Sequence, residues 1–161
     1  MENAQVRWRK ICCAVDFSDG AGLALELAAA LAQVHDADLV VLHSYSHPAS
    51  RLADLYTVNA REAANIVRRQ HDTELERWRQ RAEQLGAPRV QAAMMVGKPD
   101  QVIVDFAQRE GVDLVVMGTH GRTGLKHVLI GSVAEHVVRR APCPVLTTRA
   151  GAAQVSHSAP A

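Results

Sequence analysis

Apolar residues along this chain follow two rhythms, and the rhythms alternate. Five short β-branched runs, Lys10–Val15, Asp38–His43, Arg89–Val96, Val112–Met117 and Cys143–Thr148, are each bounded by turn residues. Several are continuously apolar (LVVL, LVVM), the pattern of strands buried on both faces of a parallel sheet. Between them lie four stretches with apolar spacings of three and four. A first helix is expected from about Asp19 to Val34, with Ser18 as its N-cap and Leu23, Leu27, Leu31 and Val34 as its buried stripe. A long second helix puts Tyr56, Ala60, Ala63, Val67, His71, Leu75, Trp78, Ala82 and Leu85 on one side, and Gly86 with Pro88 beyond it ends the pattern. The third opens at Pro99 and buries Val102, Ile103 and Phe106. The fourth begins near Ser132 and carries Val133, Val137 and Val138. Strands alternating with helices make βαβ units and an α/β fold. Three stretches break the rhythm: polar Ser44–Leu55, glycine-rich Gly118–Ile130, and the small, polar Ala150–Ala161, expected to fray.

The glycine-rich stretch is where chemistry concentrates. Gly118, Gly121, Gly124 and Gly131 are four of the ten glycines. Glycine lets backbone approach a ligand without a Cβ in the way. Gly131-Ser132 sits where a helix starts, so free amides and the positive end of the helix dipole suit an anion such as phosphate there. The competing reading is purely structural, because Ser132-Val133-Ala134-Glu135 is an S-x-x-E capping box. The clustering of glycines beyond a strand's carboxyl end favours the phosphate site. Neither G-x-x-x-x-G-K-[ST] nor G-x-G-x-x-G is present.

Composition removes other classes. A chain of 161 residues makes one domain. Eighteen Lys and Arg against seventeen Asp and Glu leave a formal charge of +1, which argues against electrostatic capture of nucleic acid or anionic membrane. The Ala/Leu-rich run from Ala21 to Val34 contains Glu26 and Gln33 and is too short to span a bilayer. The N-terminus has no apolar signal region, so a cytoplasmic setting is expected. Cys12, Cys13 and Cys143 form no C-x-x-C. Cys12 and Cys13 point to opposite faces of one strand and read as packing. The eight histidines show no helical H-x-x-x-H pair, so no metal site is expected. The charges of the second helix alternate in sign and read as a solvated face.

The spacing Gly118-x2-Gly121-x9-Gly131-Ser132 gives G-x2-G-x9-G-[S/T], which resembles the ATP-binding signature of the universal stress protein family. Val15-Asp16-Phe17-Ser18, Val41-Leu42-His43, Val96-Gly97-Lys98-Pro99, Asp113 to Met117 and Pro142-Cys143-Pro144-Val145-Leu146 extend the resemblance over nearly the whole chain. It implies a single-domain, Rossmann-like open parallel sheet of order 3-2-1-4-5 with helices on both faces, over residues 4–150, and a C-terminal tail over 151–161. The order reverses between strands one and four, and ligands of such sheets bind at that switch point.

By the same resemblance, adenine lies against Ala14, Val15 and the backbone near Ser44. Asp16 and Gly118, after Met117, face the ribose, and Gly121, Gly131, Ser132 and Val133 hold the phosphates. The loop itself also carries His120, Arg122 and Lys126; Arg122 and Lys126 are candidates to neutralise a triphosphate, with plain solvent-facing residues as the competing reading. Asp16 has an alternative role at the cap of the first helix. His120 has no visible partner to make it a general base. The implied ligand is ATP, or ADP or AMP, with Mg2+. The implied partner is a second copy, through the edge of strand five at Val145, Leu146 and Thr147. Two functions follow: a nucleotide-dependent regulator in stress response, with weak hydrolysis at most, or a dimeric interaction module that binds no nucleotide. A further protein partner is compatible with either.

Overall fold

The computed structural model describes residues 7–46, 58–119 and 130–149. Nine elements alternate: β1 (Lys10–Val15), α1 (Asp19–His35), β2 (Asp38–Tyr45), α2 (Val58–Gln84), β3 (Arg89–Val96), α3 (Pro99–Glu110), β4 (Leu114–Gly118), α4 (Ser132–Arg140) and β5 (Val145–Thr148). All strand pairs are parallel, in the order β3-β2-β1-β4-β5. The expected open sheet with helices on both faces is what forms. β2 runs two residues further than its apolar run, and β4 and β5 each start two residues later than theirs.

The sheet divides the core in two. On one face α1 and α2 cover Ile11, Cys13, Leu39, Val41, Leu114 and Val116. On the other, α3 and α4 cover Cys12, Val40, Leu42, Val115 and Met117. Cys12 and Cys13 thus point to opposite faces and are fully buried, as strand geometry requires.

Helix α1 corrects one expectation. Its buried residues are Gly20, Ala21, Gly22, Ala24, Leu25, Ala28, Ala29 and Ala32, whereas Leu23, Leu27 and Val34 are 41%, 36% and 78% exposed. The leucine spacing is helical, but of its four residues only Leu31 packs against the core. A flat alanine face lets the helix lie close against β1 and β4, where a row of leucines would hold it off. Ser18 is the N-cap, accepting from the Ala21 amide. Helix α2 turns Leu75, Trp78 and Ala82 inward as expected, but Leu85 stays 38% exposed. Tyr56 and the side chains of Ala60 and Ala63 lie outside the described residues. In α4, Ala134 and Val137 are buried and Val138 is 49% exposed.

Candidate functional site

Crossovers leave β1 in opposite directions, through α1 towards β2 and, after β3 and α3, back to β4, so a crevice opens at the carboxyl ends of β1 and β4. A cavity of about 180 Å³ fills it. β1 and the residue after it contribute Ala14, Val15 and Asp16; β2 contributes Leu42 and Ser44; β4 and the residue after it contribute Met117, Gly118 and Thr119. The start of α1 adds Ala21, that of α3 adds Pro99 and Ile103, and that of α4 adds Gly131, Ser132, Val133 and Ala134. Three helix N-termini therefore converge on one crevice. This is a consequence of parallel topology, because each helix begins where its strand ends.

The turn after β1 is tightly specified. One carboxylate oxygen of Asp16 accepts from the Ser18 amide at 3.1 Å and from the Ser18 hydroxyl at 2.5 Å. Ser18 in turn caps α1. Asp16 thus serves the cap, the structural role allowed by its position, while it also lines the cavity. Phe17 between them has φ +66°, a left-handed conformation unusual for a bulky residue.

The far wall is the N-terminus of α4. Gly131, not Ser132, is its N-cap, and no side chain caps it. The expected capping box is therefore not formed: with Gly131 at the cap, Ser132 is already the first helical residue. The Gly131 amide donates to the Thr119 carbonyl at 2.8 Å, and the Gly131 carbonyl accepts the first intrahelical bond, from Glu135 at 2.9 Å. The amides of Ser132, Val133 and Ala134 then have no partner within the helix, and all three residues line the cavity. A Cβ on Gly131 would stand 3.0 Å from the Thr119 carbonyl oxygen. Any larger side chain would press on that carbonyl and push the helix end back from β4.

Nine of the residues picked from the sequence meet in this cavity: Ala14, Val15, Asp16, Ser44, Met117, Gly118, Gly131, Ser132 and Val133. His120, Gly121, Arg122 and Lys126 lie outside the described residues. The sequence did not single out Ala21, Leu42, Thr119, Ile103 or Ala134 as lining, nor Pro99 beyond its role as a helix start. Leu42 was reachable, because it lies two residues from Ser44 on the same face of β2. Ile103 follows Pro99 by one helical turn. Leu42, Met117, Pro99 and Ile103 give the cavity an apolar side facing the polar α4 terminus.

Other reactive groups are quiet. Burial pushes the Cys12 and Cys13 thiols well above their ordinary range, and it raises Cys143 as well. Among the described residues no three His, Cys, Asp or Glu side chains cluster as a metal site. His136 of α4 lies 3.6 Å from Asp100 of α3, bridging the two helices whose starts line the cavity.

These features define a doubly wound α/β protein with a crevice at its switch point, apolar on one side and lined by helix N-terminal amides on the other. The chain belongs to the universal stress protein family, whose model matches residues 7–149. A universal stress protein of Thermus aquaticus is 36% identical over 145 residues, covering 88% of this chain and 99% of the relative. The solved structure of protein MJ0577 superposes with a TM-score of 0.79 at 30% identity, over 92% of this chain and 100% of that one; MJ0577 is a universal stress protein of Methanocaldococcus jannaschii. UspA from Lactobacillus plantarum superposes with a TM-score of 0.75 at 28% identity, over 89% of this chain and 99% of that one. Among the described residues no helix is long and apolar enough to cross a membrane.

Proposed function

We propose that the crevice binds an adenine nucleotide, ATP or a shorter relative, and that the bound state sets how this stress protein engages its partners. The observation that carries the proposal is the α4 terminus. Three first-turn amides without a partner inside the helix line the cavity, beside a glycine whose Cβ would stand 3.0 Å from the Thr119 carbonyl oxygen. That terminus attracts phosphate through backbone dipoles, so a chain of net charge +1 needs no basic surface to hold it. The apolar side, Leu42, Ile103 and Met117, suits a purine ring. Asp16, which would repel bare phosphates, suits ribose hydroxyls.

Chains of this fold have been solved with cAMP, dAMP and AMP. At 24%, 24% and 21% identity they speak for what the fold can hold. The glycine spacing is the feature of this chain that points to the longer nucleotide. Mg2+ would arrive on the nucleotide's phosphates, because among the described residues the cavity offers it Asp16 and no cluster of ligands. No base poised for hydrolysis stands among the described lining residues, so binding rather than turnover is the expected activity.

Isothermal titration with ATP, ADP, AMP and cAMP, with and without Mg2+, tests this directly. Gly131→Val should weaken binding at least about tenfold, worth roughly 1.4 kcal/mol, while circular dichroism keeps its native form. Unchanged affinity in that variant would remove the phosphate assignment. The second copy is proposed to join at the free edge of β5, through Val145, Leu146 and Thr147, within a cytoplasmic setting.

A further inference from the structure

Behind the crevice, on the opposite face of the sheet, two histidines are joined ring to ring. His43 is 4% exposed. Leu42 and Ser44 on either side of it line the cavity, so His43 points to the α1–α2 face. Its Nδ1 lies 2.8 Å from the Val15 carbonyl oxygen. Its Nε2 lies 2.8 Å from Nδ1 of His71, on α2. The ring centroids are 4.9 Å apart and the ring planes 17° from parallel. Phe17 stacks on His43 with centroids 4.1 Å apart, and Tyr45 stacks on His71 at 5.2 Å.

The proton count follows from the partners. A carbonyl only accepts, so His43 Nδ1 carries a hydrogen and donates it to Val15. One proton, and no more, fits between Nε2 of His43 and Nδ1 of His71. The pair can be neutral, with His71 donating, or carry one positive charge. A second charge would set N–H against N–H and force the rings apart. What they hold together is specific. Val15 and Asp16 line the cavity, and Phe17 keeps its left-handed φ of +66° while stacked on His43. The chain of contacts from His71 through His43 to Val15 therefore pins the turn that carries Asp16 to helix α2.

We propose that the His43–His71 pair is a proton-operated tether: near neutral pH it holds the Val15–Ser18 turn in its ligand-ready shape, and double protonation releases it and weakens binding in the crevice. The ligand half of this rests on the nucleotide reading above; the tether itself does not.

The surroundings of the pair are mixed in charge. From the end of β1 comes Asp16, bonded to Ser18. From β2 comes the Tyr45 phenol. Within one turn of His71 on α2 stand Arg69, Arg68 paired with Asp72 at 3.8 Å, and Glu74, which accepts from Arg77 at 2.9 Å and from the Trp78 indole at 3.2 Å. β3 offers Met94 to this core, and α1 offers alanines and Leu25. Neither brings a charge to this core. The sign is fixed by linkage. The joined rings resist the second proton and the parted rings accept it, so acid favours the parted state. The tether is therefore kept at higher pH and lost as pH falls.

Two measurements on the full chain test this. Imidazole 15N shifts of the ligand-free protein, followed from about pH 8 to pH 5, should show His43 protonated at Nδ1 and bare at Nε2 at the alkaline end, with the two rings titrating as a coupled pair. The Phe17 and Ser18 amides should shift in step with that titration. Two histidines titrating independently, with no response at Phe17 or Ser18, would overturn the tether whatever the protein binds. ATP affinity should fall about fivefold or more between about pH 7.5 and 5.5 in the wild type. It should fall clearly less in His71→Gln, whose amide can hold the bond at either pH. An equal fall in both proteins would overturn the link to the crevice. No binding of ATP, ADP, AMP or cAMP at about pH 7.5 in the wild type would instead refute the nucleotide reading, and the 15N experiment would still decide the tether.

Discussion

At the scale of single residues, the crevice is made by what its side chains lack. Gly131 matters because its missing Cβ lets the α4 terminus sit against the Thr119 carbonyl. Asp16 matters because one carboxylate oxygen is tied to Ser18 while the residue still lines the cavity. Both were legible in the sequence, Gly131 from its place in a glycine cluster and Asp16 from its place at a strand end. The division of labour between Asp16 and the cap was not, because it depends on which oxygen faces which amide. The cysteines give a plain test at this scale. Cys12 and Cys13 are fully buried with their thiols pushed up by burial, and Cys143 is partly exposed. Only the thiolate reacts. A thiol titration near pH 8 should therefore find one reactive cysteine in the native protein, reacting more slowly than a free thiol, and three in denaturant. Fast modification of two or more native thiols would contradict this packing.

At the scale of elements, α1 shows how far a periodic pattern can mislead. Leu23, Leu27, Leu31 and Val34 have perfect helical spacing, yet the residues turned to the sheet are mostly alanines. Hydrophobicity ranks leucine above alanine as a core residue, but the distance between helix and sheet is fixed by the smallest residues in between. The energetic consequence is opposite for neighbouring positions. Ala28, fully buried, has no room to grow, and Ala28→Leu should cost about 1–3 kcal/mol through overpacking. Val34, 78% exposed, can shrink at almost no cost, and Val34→Ala should change stability by no more than about 0.5 kcal/mol. Urea unfolding of the two variants checks the pair. A large loss from Val34→Ala with a tolerated Ala28→Leu would mean that α1 is rotated from this placement. The α4 terminus carries a similar lesson. S-x-x-E is a good capping box, but the bond from Gly131 to Thr119 moves the cap one residue earlier and leaves Ser132 free to line the cavity.

At the scale of the whole molecule, the free edge of β5 is the feature with the largest consequence. Pro144 and Thr148 turn their carbonyls to the β4 side, accepting from Val115 and Thr119 at 3.0 Å and 2.8 Å. By the two-residue period of a strand, Val145 and Thr147 then direct their amides and carbonyls outward. A proline at one of these positions removes an outward donor and leaves the β4 pairing intact. Thr147→Pro should therefore convert the proposed dimer to a folded monomer in sedimentation at micromolar concentration. A wild type that is already monomeric there would end the proposal. The sequence by itself determined the parallel sheet, its helices and the glycine stretch, because these are written in local periodicity and in residues with special backbone freedom. It also supplied, through family resemblance, the strand order and most of the crevice lining. Only the tertiary structure decided which side of α1 is buried, where α4 is capped, and that His43 of β2 meets His71 of α2 behind the crevice. Each of these depends on distances between elements far apart in the chain, and no periodicity within one element encodes such a distance.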